Sequence, residues 1–211
     1  MRLLYDLDGN IAHFDRRYDG YLLADYPHFS HISSINQKTF NLWADRTPEE
    51  QEAIRDIMNR PGFYKEMEPI AGAVDAVKEA QALGHEVYFL SAPWLTNVTC
   101  ASDKYHWIEQ TFGEGWGDKL ILAKDKTVVS GDILFDDKEP IPHKERADWV
   151  QVYYDQPYNQ DAVGYRVHSW ETDEWKDIVA QIADEKAKAE ASTKVDWKTT
   201  AMDILEGMGA R

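Results

Sequence analysis

Short apolar runs alternate along this chain with longer amphipathic stretches. Leu3, Leu4 and Tyr5 form a run too short for a helix and predict a buried strand. Glu86–Leu90, Leu120–Leu122, Asp132–Phe135 and Trp149–Tyr153 read the same way. Between them the period changes. Residues 73–83 place Ala73, Val74, Val77, Ala80 and Leu83 on one helical face, and Gly84 stops the helix. Ala101–Phe112 is a second helix, stopped by Gly113, and Asp173–Ile182 is a third. Strands alternating with helices predict an α/β protein, a parallel sheet covered by helices on both faces.

One stretch lacks strand character. Residues 15–62 carry Tyr18, Tyr21, Tyr26, Phe29, Phe40 and Trp43, and then a helix start at Thr47-Pro48-Glu49-Glu50. Thr is a good N-cap, Pro suits the first helical position, and acids favour the first turn. Ile54, Ile57 and Met58 follow at helical spacing, and Arg60-Pro61-Gly62 ends the helix. We expect three parts: a core of residues 1–14 and 63–183, a small helical cap of residues 15–62 inserted after the first strand, and a helical extension of residues 184–211. The cap aromatics serve either as its own small core or as the wall of a pocket. In the extension, Val195, Trp197, Met202, Ile204 and Leu205 are apolar. Docking on the body is the favoured use of them, and a homodimer is the alternative.

Composition narrows the partners. The 211 residues are 43% hydrophobic, which supports a packed core rather than disorder. No run reaches the roughly 18 apolar residues of a membrane helix. No basic-then-apolar leader precedes the first strand, so a cytoplasmic location is expected. The single cysteine, Cys100, suits a reducing compartment and reads as a small buried residue. A net charge of −15 repels polyanions, which argues against polymeric nucleic acid but not against a small phosphorylated ligand held by local lysines and a metal. His28 and His31 lack the companions of a zinc site and read as loop residues.

The candidate chemistry lies where the strands end. Asp6, Leu7, Asp8 and Gly9 follow the first strand. In an extended segment Asp6 and Asp8 face one way, and two carboxylates there call for a cation such as Mg²⁺. A calcium loop beginning at Asp6 would need Gly and Glu where the chain has Ile11 and Arg17. Two readings stay open for the stretch alone: an acidic turn, or a nucleophile and general acid pair. The second strand ends at Ser91, another at Asp136 and Asp137, and Lys126 precedes the latter. Each has a plain reading: a turn hydroxyl, a surface charge, a helix N-cap. Their coincidence at the carboxyl ends of the strands, where such sheets bind ligands, favours a site.

These residues resemble the motifs of the haloacid dehalogenase superfamily of phosphatases: Asp-x-Asp, Ser or Thr, Lys and a closing Asp pair. Within it the chain is most similar to the 5′(3′)-deoxyribonucleotidases. The likeness runs through Phe14, Pro61-Gly62-Phe63, the run EPIAGAVDAV over residues 68–77, KYHWIEQ over 104–110, DKTVVSGDILFDDK over 125–138, and Ser169, Trp170 and Trp175. It implies a three-layer Rossmann-like fold and a Mg²⁺-dependent phosphatase acting on nucleoside monophosphates. It casts Asp6 as the nucleophile that becomes an aspartyl-phosphate and Asp8 as the acid and base. Mg²⁺ would be held by Asp6, the carbonyl of Asp8 and Asp137, with Asp136 in support. Ser91 and Lys126 would bind phosphate; at Ala92, where the family usually has a second Ser, the phosphate contact would be either missing or made by the backbone N–H. Phe14, Phe40 and Trp43 would contact base and sugar, with Met58 where relatives have Trp. The alternatives are the same machinery on a sugar phosphate, or a nucleotide-binding module without turnover, against which the full motif set argues.

Overall fold

The computed structural model describes the backbone of residues 1–208 and the side chains of residues 1–192. Six strands form one sheet: β1 (Arg2–Tyr5), β2 (Glu86–Ser91), β3 (Leu120–Leu122), β4 (Ile133–Asp136), β5 (Val150–Tyr154) and β6 (Tyr165–Val167). Their order is β3-β2-β1-β4-β5-β6, and each neighbouring pair is parallel. β1 is central, with Leu3 opposite Val87 on one side and Ile133 on the other. Leu3, Leu4 and Tyr5 are all buried, as a strand covered on both faces requires. Tyr5 stacks on Phe135 on one face, while Leu4, Leu90, Leu134, Ile141 and Trp149 cluster together. The α/β class read from the alternation is the observed one.

The helices are α1 (Phe14–Asp25), α2 (Pro48–Met58), α3 (Ala73–Ala82), α4 (Cys100–Phe112) and α5 (Glu174–Met208). At α2 the predicted start is a full capping box: Thr47 Oγ1 accepts from Glu50 N, and Glu50 Oε2 accepts from Thr47 N at 2.8 Å. Two elements went unread. α1 buries only Tyr18 and Leu22, contains Gly20 and has no side-chain cap, so its periodicity is faint. β6 has three residues, of which Val167 alone is buried.

Residues 1–174 form one compact unit, and the described residues from 175 onward form another. The helix expected over Asp173–Ile182 is observed as α5, 35 residues long and unbroken at 183/184. Val195, Trp197, Met202, Ile204 and Leu205, assigned above to docking, lie outside the described side chains. Among the described residues no helix is long and apolar enough to cross a membrane.

Candidate active site

The strand order brings the predicted residues together. β2, β1 and β4 are adjacent, so Ser91, Asp6 and Asp136 emerge side by side at one sheet edge. The ladder continues one step past β1, since Asp6 N donates to Phe135 O at 2.9 Å. A tight loop follows, in which the N–H groups of Asn10, Ile11 and Ala12 all donate to Leu7 O. Asn10 is fully buried and ties the two strand ends, its Nδ2 donating to Asp6 O at 3.0 Å and Phe135 O at 3.2 Å. Trp170 Nε1 donates to Asn10 O at 2.8 Å. Gly9 has φ of 77°, and a Cβ there would lie 2.8 Å from Asp137 Oδ2, so both conformation and space call for glycine.

Two buried lysines divide the carboxylates between them. Lys126 Nζ lies 2.8 Å from Asp6 Oδ1 and 2.5 Å from Asp136 Oδ2. Burial opposes its charge, but Asp136 and Asp6 outweigh that and raise its pKa above the ordinary lysine value. Asp136 Oδ1 also accepts from Lys138 N at 2.9 Å. Lys104 Nζ donates to Asp8 Oδ2 at 2.7 Å and to Ser91 Oγ at 2.8 Å, and it lies 5.1 Å from the centre of the Tyr64 ring. Burial raises the Asp8 pKa, and the Lys104 charge works against that rise. Asp6 and Asp8 therefore face different partners, although one residue separates them.

Lys104 was missed as a site residue. Lysine on an amphipathic helix reads as a solvated charge. Yet α4 buries Cys100, Asp103, Lys104, Trp107 and Ile108, a stripe at helical spacing, and Lys104 falls inside it. That placement was the available signal. Cys100 is buried as expected, accepting from Trp94 N, and burial raises its thiol pKa. His28 and His31 lie on a short 3₁₀ segment, where His31 pairs with Glu50.

One carboxylate oxygen from each of Asp6, Asp136 and Asp137 lies within 4.8 Å of the others. Asp137 is 1% exposed, and its Oδ1 has no hydrogen-bond partner among the described residues. Burial, then repulsion from Asp136 and Asp6, pushes its pKa well above the carboxylate range. Three crowded carboxyls with a single ammonium, and one orphaned buried oxygen, fit a hard divalent cation. The Asp8 carboxyl stands outside that group and takes Lys104 instead.

The carboxylates, Ser91 and Lys126 line one cavity of about 790 Å³, and Lys104 bears on it through Asp8 and Ser91. Asp6, Asp8, Ser91, Ala92, Lys126, Asp136 and Asp137 are among its polar and backbone lining, and Phe14, Phe40 and Trp43 are among its aromatic lining. Trp43 stacks on Trp94 with ring centres 5.0 Å apart, Phe14 meets Phe63 edge-on at 5.4 Å, and Met58 also lines the space. Tyr64, Trp94 and Tyr158 are lining residues not anticipated from the sequence. Lys124 reaches the cavity too, but its Nζ lies 6.0 Å from the Trp94 ring centre.

Comparison with known proteins bears on this geometry. Residues 1–184 match the model of the family described as 5′ nucleotidase, deoxy (pyrimidine), cytosolic type C protein. A Bordetella pertussis protein, provisionally named a 5′(3′)-deoxyribonucleotidase, is 33% identical over 180 residues, 85% of this chain and 96% of that protein. The human cytosolic-type 5′(3′)-deoxyribonucleotidase is 30% identical over 188 residues, 85% of this chain and 93% of its own. A crystal structure from Lactobacillus delbrueckii, provisionally described as a phosphoglycolate phosphatase, shares the fold with a TM-score of 0.56 at 14% identity, covering 82% of this chain and 96% of that one. With this fold, this carboxylate and lysine arrangement and these relatives, the chain belongs to the deoxy (pyrimidine), cytosolic type C 5′-nucleotidase family and is a phosphomonoester hydrolase.

Proposed function

We propose that this protein is a Mg²⁺-dependent phosphatase that hydrolyses deoxyribonucleoside monophosphates through an aspartyl-phosphate. The observation that carries this reading is the divergence of Asp6 and Asp8. Asp6 shares Lys126 with Asp136, whereas Asp8 is held away by Lys104. Paired carboxyls in different surroundings take different roles. Asp6 attacks phosphorus, forming an O–P bond as the ribose oxygen leaves. Asp8 gives that oxygen its proton, then takes one from the water that cleaves the acyl phosphate.

Lys126 and Ser91 hold the equatorial phosphate oxygens, where charge must be stabilised. Ser91 Oγ accepts from Lys104, which leaves its own hydrogen to donate to phosphate. Ala92 offers only its backbone N–H. Asp6, the Asp8 carbonyl and Asp137, with Asp136 behind, would hold Mg²⁺, which would supply the positive charge that lets a dianion approach these carboxylates.

Residues 15–62 act as the cap over the strand ends and exclude water. Phe14, Phe40 and Trp43 offer flat apolar faces, and stacking on such faces is worth about 1–3 kcal/mol per base. An apolar wall beside the sugar leaves a 2′-hydroxyl poorly paired, at a cost of about 1–3 kcal/mol. The order expected is deoxyribonucleotide, then ribonucleotide, then sugar phosphate. The names of the curated relatives support the same substrate class.

The test is phosphate release from dUMP, UMP and a hexose phosphate, with and without EDTA. Loss of turnover in EDTA and the stated order are expected. Equal kcat/KM for the hexose phosphate would replace this reading with a general phosphatase, and no release from any of them would leave a binding module.

A further inference from the structure

One short turn, residues 156–159, reaches both loops of the site. Gln156 Nε2 donates to Gly9 O at 2.7 Å. Asn159 Nδ2 donates to Asp137 O and to Tyr154 O, each at 2.8 Å. Tyr158 Oη donates to Asp137 Oδ2. The turn is itself anchored. Arg166 of β6 donates to Asn159 Oδ1 at 2.6 Å and to Asn159 O at 2.7 Å, and it pairs with Asp155 at 3.0 Å.

Tyr158 is the member of this turn that touches a carboxylate. Its ring lines the cavity and meets Phe40 edge-on at 6.0 Å. A phenol keeps its proton at neutral pH, so it donates to Asp137 rather than competing for a cation. Asp137 is left with one oxygen bound and the other, Oδ1, buried and unpaired. Without the phenol, both oxygens of a carboxyl already crowded by Asp6 and Asp136 would lack a hydrogen-bond donor among the described side chains. Nothing in that direction would then fix its rotation.

We propose that Tyr158 is a positioning residue for the metal: by holding Asp137 through Oδ2 it presents Oδ1 to Mg²⁺. The inference rests on the reading above that Asp137 is a metal ligand. Donors that orient a ligating carboxylate change metal affinity about 10–100-fold when removed. Tyr158→Phe keeps the ring and its contact with Phe40 and removes only the donor.

The experiment is calorimetric titration of Mg²⁺ into the full-length chain without substrate, for wild type and Tyr158→Phe. We expect the variant to bind Mg²⁺ about tenfold more weakly or worse. Its kcat, low at wild-type working Mg²⁺, should recover at saturating Mg²⁺, which a packing role would not produce. If the variant is too unstable for calorimetry, the Mg²⁺-dependent rise in melting temperature yields the same constant. Equal Mg²⁺ affinity in the two proteins overturns the inference while leaving the metal reading intact. Absence of Mg²⁺ binding by wild type overturns both.

Discussion

At the strand ends Lys104 and Lys126 are 0% and 6% exposed, and each reaches two side-chain partners within 2.8 Å. In the aromatic part of the lining Phe40 is 39% exposed and touches Tyr158 edge-on, and Trp43 lies half-buried against Trp94. The first region grows directly from three adjacent strands and is braced by buried Asn10. The second hangs on a segment of short turns between α1 and α2. Buried charges tolerate little change, because removing one partner strands the other in a medium of low polarity. Aromatic faces in partial contact with water can be trimmed at modest cost. Changes in the charged region should therefore cost orders of magnitude in turnover, and changes in the aromatic region should shift preference by small factors.

The strongest way to break that comparison is Asp6→Asn. An amide cannot form the aspartyl-phosphate, so kcat should fall at least about 10³-fold while the fold persists. Phosphate release from the purified variant near the wild-type rate would remove the chemistry from the strand ends altogether.

Lys104→Met comes next. If Lys104 orients Asp8, its loss should cost about 10²-fold or more in kcat on a nucleotide, whose leaving oxygen needs a proton, within the usual range for acid catalysis. On p-nitrophenyl phosphate, whose leaving group departs unaided, the loss should be clearly smaller. Equal losses on both substrates would assign Lys104 to phosphate binding or to packing alone.

How much of this was readable beforehand differs between the two regions as well. Asp6, Ser91 and Asp136 could be found because each directly follows or ends an apolar run, so its place at the sheet edge comes with the strand. Lys104 and Tyr158 could not be found that way. Their partners Asp8 and Asp137 lie 96 and 21 residues away, and only tertiary structure turns a helix lysine and a turn tyrosine into buried site residues. The same holds for fold elements. β2 announced itself through its run of apolar and β-forming residues, whereas three-residue β6 and the polar α1 owe their form to what they pack against.

Phe14→Ala sharpens the aromatic side. Phe14 stands at the first residue of α1, one loop away from Asp8, and contacts Phe63. Its removal should lower kcat/KM for dUMP by about 1–3 kcal/mol in transition-state binding and leave a hexose phosphate nearly unaffected. A uniform drop on both would mean that Phe14 supports the fold and not the base.

Thr47→Ala tests how far the wall depends on the helix behind it, and it should have the smallest effect. Thr47 Oγ1 accepts from Glu50 N at 3.3 Å, and α2 carries Met58 into the cavity lining. Loss of such a cap costs about 1 kcal/mol, which in a chain of this size lowers the melting temperature by about 2–4 °C. kcat on dUMP should not change, because no group at the strand ends touches this box. The other half of the box survives the substitution, since an alanine there keeps the backbone N–H that donates to Glu50. That bond is the main reason the Glu50 carboxyl lies below its ordinary value, with His31 adding to it. A carboxyl with a lowered folded pKa stabilises above its unfolded value of about 4.3 and loses that contribution as pH falls through the folded one. Thr47→Ala should therefore keep the acid-side loss of stability, and Glu50→Gln should flatten it. Melting curves between about pH 3 and pH 6 decide this. A Thr47→Ala variant with wild-type melting but altered dUMP kinetics would show that the wall is set by α2 directly and that the charged and aromatic regions are less separate than their burial suggests.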